Sequence, residues 1–88
     1  MITVAVTVSN PTGLHARPAA SLVALAKSFT SAITIKYGEK SANAKSILAV
    51  LTLGASQGAS LTISTDGVDE TAAAEQILEA FSNNLGES

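Results

Sequence analysis

Gly13-Leu14-His15-Ala16-Arg17-Pro18-Ala19-Ala20 is the stretch at which the chain changes period. Ahead of it, Ile2-Thr3-Val4-Ala5-Val6-Thr7-Val8 alternates, with Ile2, Val4, Val6 and Val8 facing one way and Thr3, Ala5 and Thr7 the other. That is the pattern of a half-buried strand. Behind it, Pro18, Ala19, Leu22, Leu25, Ala26 and Phe29 recur at helical spacing and predict a helix from Ala16 to Phe29. Ser9-Asn10-Pro11-Thr12-Gly13 is the turn-rich connection between the two. Gly13 admits backbone angles that other residues avoid. Pro18 is tolerated in a first helical turn, where N–H groups have no intrahelical partner. His15 is therefore predicted at the N-cap, with Ala16 and Arg17 opening the helix.

The rest of the chain repeats the alternation of period. Ala32 to Tyr37 reads as a strand with Ile33, Ile35 and Tyr37 inward, and Gly38-Glu39 turns it into a short strand near Lys40 to Asn43. Ser46 stands before the apolar run Ile47-Leu48-Ala49-Val50-Leu51-Thr52-Leu53, where a hydroxyl makes a good N-cap and Gly54 a stop. Ala59 to Thr65 is a further strand, with Leu61 and Ile63 inward. After the Asp66-Gly67 turn, Asp69 is expected to cap a last helix whose buried stripe is Ala74, Ile77, Leu78, Phe81 and Leu85. The order is βαββαβα, and every strand has one apolar and one hydroxyl-rich face. This predicts an α+β fold: a four-stranded, largely antiparallel sheet with all three helices on one face.

Composition narrows the function. The 88 residues support one domain over 1–88, with a core too small to enclose a buried active site. There is no cysteine and one histidine, so neither a disulfide framework nor a thiolate or histidine-rich metal site is expected. No apolar run is long enough to span a bilayer, and the N-terminus lacks a basic leader, which predicts a cytoplasmic protein without membrane insertion. A net charge of −2 and three aromatic residues argue against nucleic acid as the partner.

What remains is the chemistry of the opening stretch. His15 is the only histidine and Arg17 the only arginine. Free N–H groups and the positive end of a helix dipole favour an anion at this place. A guanidinium offers a fork of donors matched to phosphate oxygens. A nucleophilic imidazole, the backbone N–H groups of Ala16 and Arg17, and the Arg17 side chain together describe a site that takes up and releases a phosphoryl group. The outer face of the first helix, read as Ala16, Arg17, Ala20, Val23, Ala24 and Lys27, is small and apolar with a cation at each end. Alanine helix propensity explains that composition equally well. The short second helix leaves Ile47, Leu48 and Leu51 on a face away from the core, and such a patch marks an interaction surface.

These motifs resemble the HPr family, the histidine-containing phosphocarrier proteins of the bacterial phosphoenolpyruvate:sugar phosphotransferase system. Gly13-Leu14-His15-Ala16-Arg17-Pro18-Ala19 is similar to the family's active-site signature, and Lys45-Ser46-Ile47 with Leu53-Gly54 to its regulatory one. The resemblance implies the open-faced β-sandwich fold and a carrier rather than an enzyme, with no cofactor. It implies that His15 accepts phosphate on Nδ1 from Enzyme I and passes it to the IIA components of sugar permeases, with Arg17 stabilising the phosphate. It also implies that Ser46 is a regulatory site for an HPr kinase/phosphorylase, which in relatives creates a co-repressor for a catabolite-control transcription factor. Ala16, Ala20, Val23, Ala24, Lys27, Ile47, Leu48 and Leu51 become the docking surface of a monomer. Thr12 stands where many relatives carry Asn or Ser, and Ala24 where some carry lysine. A carrier dedicated to nitrogen regulation and a domain of a multiphosphoryl transfer protein are the rivals within the family; Met1 at the start favours a free-standing chain.

Overall fold

The computed structural model describes residues 1–86 and follows the expected order. Strand β1 (Ile2–Thr7) leads to helix α1 (Ala16–Lys27), then β2 (Ala32–Tyr37), β3 (Lys40–Asn43), α2 (Ile47–Thr52), β4 (Ser60–Asp66) and α3 (Glu70–Ser82), with a short turn of 3-10 helix at Asn84–Gly86. The sheet order is β1-β4-β2-β3. Every pairing is antiparallel, and the register sets Val4 beside Ile63 and Ile63 beside Ile35. One face therefore carries Val6, Leu61, Ile63, Ile33, Ile35 and Ala42, all buried. The other carries Thr3, Thr7, Ser60, Lys36 and Ser41, all exposed. Alternation along each strand, carried across the register, leaves one apolar face, and the helices cover it.

The core joins that face to Leu22 and Ala26 of α1, Val50 of α2 and Ile77 and Phe81 of α3. Each fully buried Leu or Ile contributes about 1.5–3 kcal/mol relative to an exposed one. Thr65 is the polar member of the inner face; its hydroxyl donates to the Glu70 carbonyl at 2.9 Å, so burial leaves no unpaired group.

Three expectations are corrected. Val23 is buried, at 6% exposure, and belongs to the core rather than to an outer docking face. Helix α1 packs against α2, α3 and the 84–86 turn, so it buries a wider arc than a single stripe. Leu78 lies outside the buried arc of α3, which is Ala73, Ala74, Ile77 and Phe81, and remains 46% exposed. Leu85 is buried, but from the turn after α3 rather than from the helix.

Asp69 occupies the N-cap position of α3 but makes no side-chain bond to that helix. Its carboxylate accepts instead from the backbone N–H groups of Thr30 and Ser31, both at 2.9 Å, and from the Ser31 hydroxyl. The α1–β2 connection is thus tied to the start of α3. These donors favour the ionised carboxylate, with the Ser31 hydroxyl contributing most, and hold its pKa at about 2 against an ordinary 3.8. A pKa lowered by folding means that the stabilisation is complete above the unfolded value and is lost as pH falls through the folded one. Asp69→Asn is expected to be less stable than the wild type in denaturant titrations at pH 7. The gap is expected to narrow between about pH 4 and pH 2; a gap independent of pH would show that the carboxylate charge is not what holds the connection.

Candidate functional site

The loop that delivers His15 is fastened at several points. The Gly13 N–H donates to the Asn10 carbonyl at 3.0 Å, closing a tight turn, and the Leu14 N–H donates to the Ala55 carbonyl at 2.9 Å. Leu14 is buried beneath the loop. Gly13 has φ +72°, and a Cβ there would stand 2.5 Å from the Ala55 oxygen and 2.8 Å from Ser56 Cα. Both the left-handed conformation and the close backbone approach require glycine. The Asn10 side chain, only 1% exposed, donates to the Asn84 carbonyl at 2.7 Å, and the Ser9 hydroxyl is hydrogen-bonded to the Asn84 side chain. The loop before α1 is therefore held by the segment after α2 on one side and by the turn after α3 on the other.

His15 follows this anchored pair directly. It is exposed and stands at the N-cap of α1 in extended conformation, φ −84° and ψ −169°. Its carbonyl accepts the Ala19 N–H at 3.0 Å, whereas its side chain makes no capping bond. The ring is not consumed in closing the helix. Ala16 and Arg17 begin the helix, so their N–H groups have no acceptor within it, and Pro18 contributes none. Arg17 is exposed beside them. The structure thus gathers His15, two helix-opening amides and Arg17 at one surface point.

The second motif lies on the neighbouring helix. Ser46 caps α2 as expected, its hydroxyl accepting the Ala49 N–H at 3.3 Å. Lys45 Nζ donates to the Phe29 carbonyl at 2.8 Å, stapling the start of α2 to the end of α1. Ile47, Leu48 and Leu51 are exposed, at 40%, 71% and 36%. Ala16, Ala20, Ala24 and Lys27 form the exposed arc of α1. Since α1 packs on α2, small and apolar side chains of two helices flank the His15 corner. Thr12 is exposed in the same loop. Sequence reasoning missed Asn10 and the Ala55-Ser56 backbone. Their only signals were an Asn inside a turn-forming run and a Gly-Ala-Ser connection, neither of which names a long-range partner.

An α+β domain that presents an exposed histidine and an arginine at the start of a helix has the arrangement of a covalent group carrier. Comparison with known proteins makes the class specific. The family model described as PTS HPr component phosphorylation site matches residues 2–83. The phosphocarrier protein HPr of Buchnera aphidicola (subsp. Acyrthosiphon pisum, strain APS) is 50% identical over 72 residues, which cover 82% of this chain and 85% of that protein. The crystal structure of HPr-C-His from Thermoanaerobacter tengcongensis superposes with a TM-score of 0.95 at 40% identity, covering 100% of this chain and 99% of that one. Crh, a catabolite repression protein of Bacillus subtilis seen as a swapped dimer, gives a TM-score of 0.76 at 37% identity over 96% of this chain and 97% of that one. The chain belongs to the HPr family, the phosphocarriers of the phosphotransferase system; its role is to carry phosphate, not to catalyse as an enzyme.

Gly13→Ala is expected to destabilise the fold by more than about 1 kcal/mol, because it combines a disfavoured φ with a backbone clash. The chemical shifts of His15 and Leu14 should move with it in two-dimensional NMR spectra. An unchanged melting temperature and unchanged shifts would show that the approach to Ala55 is slack.

Proposed function

We propose that His15 is the phosphoryl acceptor and that Enzyme I and the IIA units of sugar permeases are its donor and acceptor proteins. The observation that carries this reading is the position of His15: exposed, at a helix start, directly after a backbone anchored to Ala55, with Arg17 two residues on. In the first displacement Nδ1 of His15 attacks phosphorus in line while the bond to the donor histidine breaks. In the second, a histidine of the acceptor attacks and the bond to His15 breaks. The amides of Ala16 and Arg17 and the guanidinium of Arg17 stabilise the equatorial oxygens in both steps. Exposure is a requirement, since each partner must bring its own histidine to the same phosphorus. Ala16, Ala20, Ala24 and Lys27 of α1 and Ile47, Leu48 and Leu51 of α2 form the docking face. The chain works as a monomer, although the similar Crh is a swapped dimer, because a monomer leaves this face open to both partners.

Incubation with phosphoenolpyruvate and Enzyme I is expected to yield one acid-labile phosphate on the wild type and none on His15→Ala, which still folds. Arg17→Ala is expected to slow transfer by on the order of a hundredfold. Full labelling of His15→Ala, or wild-type rates for Arg17→Ala, would overturn the assigned roles.

Ser46 is the second site in this reading, phosphorylated by an HPr kinase/phosphorylase and then read by a catabolite-control transcription factor. A phosphoserine at the start of α2 carries a charge of about −2 beside Ile47, Leu48 and Leu51, and it opposes docking of an acidic or apolar surface. Ser46→Asp is expected to slow transfer from Enzyme I. Ser46→Ala is expected to keep transfer while losing about 1 kcal/mol of stability with its cap. Equal transfer rates for Ser46→Asp and the wild type would separate Ser46 from control of His15.

A further inference from the structure

We infer that the rim formed by β1 and α3 is a second docking surface, built for an extended basic segment of another protein and separate from the His15 face. The inference stands on the fold alone and does not rest on the assignment of His15. The sheet has two edges, β1 and β3. The β3 edge is four residues long and begins with Lys40, a short strand with a lysine of the kind that discourages further pairing. The β1 edge is six residues long, Ile-Thr-Val-Ala-Val-Thr, with no charge and no proline. Its register with β4 is unbroken from Ile2–Thr65 to Thr7–Ser60, so no bulge twists it away. It pairs on one side only, which leaves backbone groups on its outer side open to another strand.

Helix α3 stands over this edge rather than sealing it. Between them runs an open groove of about 630 Å³, lined in its apolar part by Ala5, Val6, Leu78 and Phe81. Leu78 is the large apolar residue of α3 that the core leaves out. Glu75 and Glu79 border the same groove, and neither carboxylate has an ion pair among the described residues. Every lysine and the single arginine of the chain lie between positions 17 and 45, so neither β1 nor α3 carries a cation.

That charge pattern selects the occupant. An extended segment alternates its side chains between two faces. Only every second side chain turns toward α3, so a segment with both apolar and basic residues in that set lays the apolar ones on Leu78 and Phe81 and the basic ones beside Glu75 and Glu79. A second copy of this chain is a poor fit, because pairing β1 with β1 brings two sets of Glu75 and Glu79 to one rim where the Met1 ammonium is already paired with Glu70. The groove reaches the loop before α1 only at Ser9 and includes none of the docking residues of α1 and α2, so a partner here leaves the relay site open.

The test is an NMR titration of the 15N-labelled full chain with the peptide acetyl-Lys-Thr-Val-Thr-Lys-Thr-Ile-Thr-Lys-amide, whose apolar and basic residues share one face, at low salt. Shift changes are expected within residues 2–8 and 75–82. Binding is expected to weaken at least about tenfold in Glu75→Lys/Glu79→Lys, in Leu78→Ser, and on raising salt until the Debye length falls to about 8 Å. A control peptide with serine in place of valine and isoleucine should bind much more weakly. Phosphate uptake at His15 should proceed at an unchanged rate in the peptide-saturated protein. Perturbation centred on Ala20, Ile47 and Leu48, equal binding by the charge-reversed variant, or no shift at millimolar peptide would overturn the proposal. So would a dimer in sedimentation that Ala5→Lys dissociates, since it would give the rim to a second copy.

Discussion

The approach of Gly13 and Leu14 to Ala55 and Ser56 is the contact on which the functional corner depends. One hydrogen bond, Leu14 N–H to the Ala55 carbonyl, and one missing side chain, at Gly13, bring the loop before α1 against the segment after α2. His15 and the apolar face of α2 are far apart in the chain, yet this seam makes them parts of one surface. Any residue with a Cβ at position 13 must push the two backbones apart, and His15 is the second residue beyond. The buried Asn10 side chain and its bond to the Asn84 carbonyl fasten the other side of the same loop.

The exposed side chain of His15 takes its place from the backbone that carries it. In this chain the restraints act on residues 10 to 14, and the His15 carbonyl adds the first helical bond to Ala19. The imidazole itself caps nothing. The main chain places the ring without a capping bond from the side chain. The Ser46 side chain does the opposite. It is engaged with the Ala49 N–H, so modifying its oxygen alters a structural bond and a surface charge together.

The sequence reveals features whose causes are local and conceals those whose partners are remote. Alternation of Val and Thr in β1, the Ser46 cap and the Gly54 stop all follow from neighbours within a few positions. The His15 signature was legible for the same reason. Periodicity locates a helix stripe but not its width, which depends on how many elements surround the helix. Hence Val23, with α2, α3 and the 84–86 turn around α1, is inside, and Leu78, overhanging an edge strand, is outside. Asp69 shows the same limit. Local rules assign its carboxylate to its own helix, whereas in the fold it reaches Thr30 and Ser31, 38 residues away at the latter. Asn10 carries no sequence mark of burial because its partner lies 74 residues on.

Charge follows the fold in a way that composition hides. A net charge of −2 from five basic and seven acidic residues looks unremarkable as a total. In space, α1 carries Arg17 and Lys27, while α3 carries Glu70, Glu75 and Glu79 and no cation. A helix whose only charges are cations favours acidic partners. The same basic residues near β1 would blunt the edge strand but would also neutralise Glu75 and Glu79. Keeping the two signs apart lets one small domain offer surfaces of opposite preference, and partners of opposite charge do not compete for the same side chains. The open edge is then protected against a second copy by the carboxylates standing over it, since like charges meet when two identical rims approach.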